Sequence, residues 1–122
     1  MAKILVIDDS SFQQKIIKSL LSGSGHELLF ATNGKEGLNL TDRSKPDLVI
    51  ADLLMPDLDG YTYLEQVRKR SPSLPVIVLT SDIQETTRRQ CMQLGAAAFL
   101  NKPASKEKLI SAIDAVLAGE KA

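Results

Sequence analysis

Cysteine is nearly absent from this chain: Cys91 is the only one in 122 residues. A lone thiol excludes an internal disulfide framework and a cysteine-based zinc site. Its helical spacing reads as a core position rather than a reactive one. Histidine also occurs once, as His26 after Gly25 in a turn, so no histidine pair is available for a metal and no catalytic base is expected there. Neither sign of charge is in excess, with 15 Lys plus Arg against 15 Asp plus Glu. That balance leaves no electrostatic footprint for nucleic acid or an anionic membrane, and neither is expected as a partner. The one basic run, Arg68-Lys69-Arg70, falls in the last turn of a helical pattern, where cations suit the helix dipole. Long apolar runs are missing too. The first, Ile4 to Ile7, is cut by Asp8 and Asp9, whereas a signal peptide needs about 7 to 15 apolar residues and a membrane helix about 20. A cytoplasmic location is the resulting expectation. Repeats, linkers and low-complexity segments are also lacking, and 13.3 kDa fits one domain over residues 1–122.

What is present is a regular alternation. Short runs rich in Val, Ile and Leu recur at Ile4 to Ile7, Leu28 to Phe30, Leu48 to Ala51, Val76 to Leu79 and, more weakly, Ala97 to Leu100. Near-continuous apolar runs of this length read as strands buried on both faces of a parallel sheet. Helical patterns separate them. Phe12, Ile16, Ile17, Leu20 and Leu21 form one stripe, stopped by Gly23 and Gly25. Asn33 with Glu36 predicts a capping box opening a second helix that ends before Pro46. Asp59 predicts the cap of a third, with Tyr61, Leu64 and Val67 inward, ending before Pro72. Ile83, Thr87, Cys91 and Leu94 form a stripe closed by Gly95, and Ser105 predicts the cap of a last helix with Leu109, Ile113, Val116 and Leu117 inward. Five strands and five helices in alternation predict an α/β fold, a doubly wound parallel sheet with helices on both faces and right-handed crossovers.

The polar residues that interrupt this pattern fall at strand ends: Asp8 and Asp9 after the first, Asp52 after the third, Thr80 and Ser81 after the fourth, Lys102 after the fifth. In a parallel sheet all those ends share one edge, where open α/β folds bind ligands. Adjacent strands lie about 4.8 Å apart, so carboxylates at neighbouring ends can share one cation. Three crowded carboxylates call for a hard divalent ion, and magnesium suits one or two carboxylates with waters or phosphate oxygens completing its shell; manganese is the alternative. A lysine and a hydroxyl beside that ion would complete a clamp for a phosphoryl group. Singly, each residue also has an ordinary reading: a turn or helix cap for Asp8 or Asp52, a β-branched strand residue for Thr80, a solvated lysine for Lys102. Their convergence on one edge favours a site.

The chain resembles a bacterial two-component response-regulator receiver domain of the stand-alone chemotaxis type. The resemblance rests on Ile4-Leu5-Val6-Ile7-Asp8-Asp9-Ser10, on the run DLLMPDLDG from Asp52 to Gly60, on Val78-Leu79-Thr80-Ser81, and on Phe99-Leu100-Asn101-Lys102-Pro103. It implies a flavodoxin-like sheet of order 2-1-3-4-5. It further implies that Asp52 is the phosphoacceptor and that Asp9, Asp52 and the backbone carbonyl of Leu54 ligate magnesium directly, with Asp8 reaching it through water. Lys102 and Thr80 would hold the phosphoryl oxygens, the Lys102–Pro103 bond would be cis, and Thr80 with Phe99 would form the switch. The implied partners are a sensor histidine kinase or phosphotransfer protein and a downstream protein target, met on a face carrying Ile83, Arg88, Met92 and Phe99, with the domain itself a monomer and not a multiple-turnover enzyme. Phe12 is either core or part of a kinase-docking patch.

Departures lie at tuning positions. Leu54 is apolar where some relatives carry a polar side chain, Asp82 is acidic two residues past Thr80, and Phe99 replaces a common tyrosine. Leu54 and Asp82 are expected at the mouth of the site, where they would set the phosphoryl lifetime. Three rival readings remain at this level. A haloacid-type aspartyl-phosphate phosphatase would want D-x-D after the first strand. A nucleotide or flavin module would want a phosphate loop where Asp8-Asp9 stand. A receiver severed from a DNA-binding response regulator keeps the fold, although Met1 and the abrupt end read as a free-standing domain.

Overall fold

A computed structural model of the chain describes residues 2–55 and 58–119. Strand β1 (Lys3–Ile7) leads into helix α1 (Ser11–Leu20), then β2 (Glu27–Ala31), α2 (Gly34–Ser44), β3 (Leu48–Ala51), α3 (Gly60–Arg70), β4 (Val76–Thr80), α4 (Glu85–Gln93), β5 (Ala98–Asn101) and α5 (Lys106–Leu117). The strands form one parallel sheet of order β2-β1-β3-β4-β5, as expected. β3 takes the centre, flanked by β1 and β4, and its continuously apolar residues Leu48 to Ala51 are buried on both faces. Among the described residues no helix is long and apolar enough to cross a membrane.

Alternation along the strands divides two cores. Leu5, Ile7, Val49, Ala51, Val76 and Val78 point to the side covered by α2, α3 and α4, where Tyr63, Leu64, Val67 and Cys91 meet them. Ile4, Val6, Leu48, Ile50, Ile77 and Leu79 point to the other side, against Ile17 of α1, Leu21 at its end, and Leu109, Ile113 and Val116 of α5. Cys91 is fully buried, and burial pushes its thiol up to about 11, which suits a core residue.

The local signals read in the sequence operate with small shifts. The Asn33, Asp59 and Ser105 side chains accept from the backbone N–H groups of Glu36, Thr62 and Lys108, capping α2, α3 and α5. The Glu36 carboxylate returns to the N–H of Thr32, one residue before the position a capping box uses. Three assignments to the core, those of Ile83, Leu117 and Tyr61, are corrected, and Phe12, left open between core and docking patch, is outside the core. Phe12 is 69% exposed and Ile83 is 80% exposed, both lying beside strand ends where no layer covers them, and Ile83 precedes α4 altogether. Leu117, the last residue of α5, is exposed as well. In α3 it is Tyr63 that is fully buried, whereas Tyr61 is half-buried.

Tyr63 needs a polar partner to be buried, and α2 supplies it. Its phenol meets the buried Thr41 hydroxyl at 2.8 Å, and Thr41 donates to the Gly37 carbonyl at 2.7 Å. Gly37 lets α2 approach β1 this closely, because a Cβ there would stand 2.5 Å from Ile7 Cδ1. Burial drives the Tyr63 phenol well above its ordinary pKa, so it stays neutral. Thr41→Val strands that hydroxyl and should cost about 1 to 3 kcal/mol in urea unfolding. Tyr63→Phe in the same background should recover part of the loss, a non-additive cycle; strict additivity would show that the pair does not interact.

Candidate functional site

Three βα junctions and the β5–α5 junction meet at the C-terminal edge of the sheet. The β1–α1 turn is built by Asp8 itself, whose Oδ1 accepts from the Ser10 N–H at 2.9 Å while Ser10 caps α1 through Gln13. Gln14 secures this turn from α1, donating to the Asp8 carbonyl at 2.8 Å and to the Ala31 carbonyl at 3.2 Å. β3 pairs with β1 through Ile7 and Ala51, so Asp8 and Asp52 leave adjacent strands at the same level. The Leu53 N–H donates to Asp52 Oδ1 at 2.7 Å. Gly60 closes α3 against this backbone: a Cβ there would lie 2.6 Å from the Asp52 carbonyl oxygen.

The carboxylates converge as the strand-end argument requires. Asp8, Asp9 and Asp52 each offer an oxygen within 4.8 Å of the others, with Asp8 buried at 2% exposure, Asp52 nearly so at 9%, and Asp9 exposed. Lys102 arrives from β5 and places its Nζ 2.8 Å from Asp8 Oδ2 and 3.3 Å from Asp52 Oδ2. The Lys102–Pro103 peptide bond is cis. Burial raises the Asp52 pKa, aided by the Asp8 charge, and this outweighs the opposing pull of Lys102. Burial also works against the Lys102 ammonium, but the hydrogen bond to Asp8 and the charges of Asp52 and Asp8 overcome it, so its pKa is raised. The lysine is therefore firmly charged, while Asp52 is the strained member of the trio.

Thr80 ends β4 and is 1% exposed; its Oγ1 accepts from the Asp82 N–H at 3.3 Å. Asp82 lies two residues past Thr80 in this turn and is partly exposed. Its carboxylate is occupied, accepting from the Gln84 N–H and the Thr87 hydroxyl at 2.9 Å each. Leu54 is 72% exposed beside the acidic group. Pro56 and Asp57 of the DLLMPDLDG run lie outside the described residues. On the adjoining face Phe99 and Met92 are partly buried against the core, Ile83 is exposed, and Arg88 is engaged with Glu85 through Nε at 3.0 and 3.1 Å. Sequence reading missed Gln14 and Asn101, whose amides bind main-chain carbonyls; Asn101 Nδ2 donates to the Asp82 carbonyl at 2.8 Å and to that of Thr80 at 3.4 Å.

Oxygen ligands alone, two of them buried and balanced by a lysine, are the donor chemistry of a hard divalent cation. A doubly wound parallel sheet with this acidic pocket at the ends of β1 and β3 defines a flavodoxin-like class of protein. Residues 4–114 match the response regulator receiver domain family, and the chain belongs to it: it is the receiver domain of a two-component response regulator. It is 39% identical over 121 residues to Protein PilH of Pseudomonas aeruginosa, covering 98% of this chain and 100% of that one. It is likewise 39% identical to part of the sensor histidine kinase CheAY of Helicobacter pylori, spanning 90% of this chain but 14% of the kinase. The chain spans about half of the probable transcriptional regulators ycf27 that it also matches, at 48% of the Porphyridium aerugineum protein. A receiver domain from Clostridium thermocellum superposes with a TM-score of 0.91 at 36% identity, over 98% of this chain and 96% of that one. The chemotaxis protein CheY4 of Vibrio cholerae gives 0.86 at 28%, over 93% and 97%.

The raised Asp52 pKa fixes the sign of a pH effect. Between 3.8 and its folded value the native state holds more protons than the unfolded chain, so stability falls as pH rises through that window. Asp52→Asn, measured without divalent cation, should raise the urea midpoint at neutral pH. The gain should shrink as pH falls below about 4, where the carboxyl is neutral in both states. A lower midpoint at neutral pH would show that the charged Asp52 stabilises the fold.

Proposed function

We propose that this domain is a phosphorylation-activated switch in which Asp52 takes a phosphoryl group from a phosphohistidine donor, with a divalent cation bound, and changes its affinity for a protein target. The observation that carries this reading is the Asp8–Asp9–Asp52 cluster bridged by the Lys102 ammonium. An Asp52 oxygen attacks phosphorus, the P–N bond of the donor breaks, and imidazole leaves with its electron pair. The transition state is loose, with charge spread over equatorial oxygens that Lys102 and the Thr80 hydroxyl are suited to hold. Asp9, Asp52 and the Leu54 carbonyl would ligate magnesium or manganese. Asp8, both of whose oxygens already accept hydrogen bonds within the protein, would contribute through water. When bound, the ion supplies the positive charge that the acidic edge lacks.

Three of the exposed large hydrophobics, Phe12, Leu54 and Ile83, surround this edge, which suits a protein donor that must cover it. The donor is then a histidine kinase or phosphotransfer protein in the cytoplasm, and the domain acts as a monomer without nucleic acid of its own. Thr80 and Phe99 form the switch: β4 pairs with β5 through Val78 and Phe99, and a threonine drawn inward leaves room for the ring. A downstream protein would read the face of Ile83, Arg88, Met92 and Phe99.

Incubation with acetyl phosphate and magnesium should add about 80 Da to the intact mass, one phosphoryl group. Chelator or Asp52→Asn should abolish the gain, and full labelling of Asp52→Asn would reject the assignment. Leu54→Asn should alter the decay of that adduct while changing magnesium affinity by less than about twofold, since its side chain is not a ligand.

A further inference from the structure

Asp82 and Asn101 form a junction that the proposed chemistry does not by itself use. Asp82 is bonded at four points: its N–H to Thr80 Oγ1, its carbonyl to Asn101 Nδ2, and its two carboxylate oxygens to the Gln84 N–H and the Thr87 hydroxyl. Helix α4 has no capping bond from its own N-cap residue, Gln84, so Asp82 provides the side-chain acceptor at that end instead. Asn101 spans from the last residue of β5 to this loop and shares the Thr80 carbonyl with the Lys102 N–H, which donates to it at 2.8 Å. Thr80 and Lys102, which flank Asp52 from the non-acidic side, are thus tied to each other by the backbone, and Asn101 pins the Thr80–Asp82 turn onto the same point.

The hydroxyl of Thr80 explains what this achieves. It is buried and already accepts a hydrogen bond from the Asp82 N–H, and among the described residues no acceptor takes its own hydrogen. A buried hydroxyl that already accepts one hydrogen bond and has its donor unspent favours an anionic oxygen as the missing partner. We propose that Asn101 and Asp82 are positioning residues: by holding the Thr80–Asp82 turn against Lys102 they aim the Thr80 hydroxyl hydrogen and the Lys102 ammonium at one anionic group on Asp52, and through Thr87 they lock the start of α4 to that geometry. This rests on the reading of Asp52 as phosphoacceptor and adds the residues that preorganise its clamp.

Magnesium alone and beryllofluoride with magnesium, a mimic of a phosphoryl group on a carboxylate, separate the contributions. Asn101 is exposed, so Asn101→Ala should fold with an unfolding midpoint close to the parent's. It should leave magnesium affinity within about twofold, because the carboxylates are untouched, yet weaken beryllofluoride binding about tenfold, the scale of one hydrogen bond to a charged group. In ligand-free protein, amide exchange over residues 85–88 should accelerate severalfold in Asn101→Ala and Asp82→Ala. Asp82→Asn should stay near the parent, since its amide can still accept from Gln84 and bond Thr87. Equal beryllofluoride affinity in Asn101→Ala and the parent, or a matching loss of magnesium affinity, would overturn the inference while an Asp52-dependent response of the parent leaves the phosphoacceptor reading standing. A parent indifferent to beryllofluoride would overturn both.

Discussion

The arrangement of this domain depends on one contact, the ammonium of Lys102 set between Asp8 and Asp52. The partners are 94 and 50 positions away in the chain, so the contact exists only when β1, β3 and β5 end at one edge. Two carboxylates leaving adjacent strands this close together would repel strongly in a half-buried setting. The lysine offsets that repulsion, and its reach across β4 gives the edge its geometry. Its side chain is 13% exposed, which keeps the contact short and little screened by solvent.

The same contact lets the two carboxylates coexist while leaving one of them incompletely compensated. Lys102 does not fully compensate Asp52, whose burial and acidic neighbour keep its charged form disfavoured. A residue held in that state gains from any positive charge added beside it. Tension of this kind is characteristic of functional sites, which trade some stability for reactivity. The rest of the fold absorbs it: the strands that carry the site are buried on both faces, and Gly60 draws α3 tightly onto the backbone after Asp52.

From this edge two polar routes lead outward. Gln14 joins the carbonyls at the ends of β1 and β2, and Asn101 joins the ends of β4 and β5. Between them the loops bearing Asp8, Thr80 and Lys102 are braced by side chains rather than left to solvent. The apolar rim of Phe12, Leu54 and Ile83 stands outside this bracing, available to a partner. The exposed Arg88–Glu85 pair, by contrast, is a weak local contact screened by solvent.

Much of the fold was legible without coordinates, because its causes are local. A strand buried on both faces must be continuously apolar, and Asn33, Asp59 and Ser105 cap helices through bonds spanning three residues. The strand-end positions of Asp8, Asp9, Asp52, Thr80 and Lys102 followed from that alternation together with the shared edge of a parallel sheet. Helical spacing could not show that Phe12 and Ile83 face solvent or that Tyr63 is the buried tyrosine of α3, since periodicity defines a stripe but not which part of it the neighbouring layer covers. The occupied carboxylate of Asp82 and the bracing amides of Gln14 and Asn101 were illegible for a related reason. Their partners are mostly backbone carbonyls, amides and a hydroxyl that carry no distinctive residue signature. The sequence by itself determined which segments become strands and helices and which polar residues share an edge, because burial and capping act over a few neighbours. Only the tertiary structure decided which of those residues touch, because Lys102 meets Asp8 and Asn101 meets Asp82 through a sheet that brings distant strand ends within hydrogen-bonding reach.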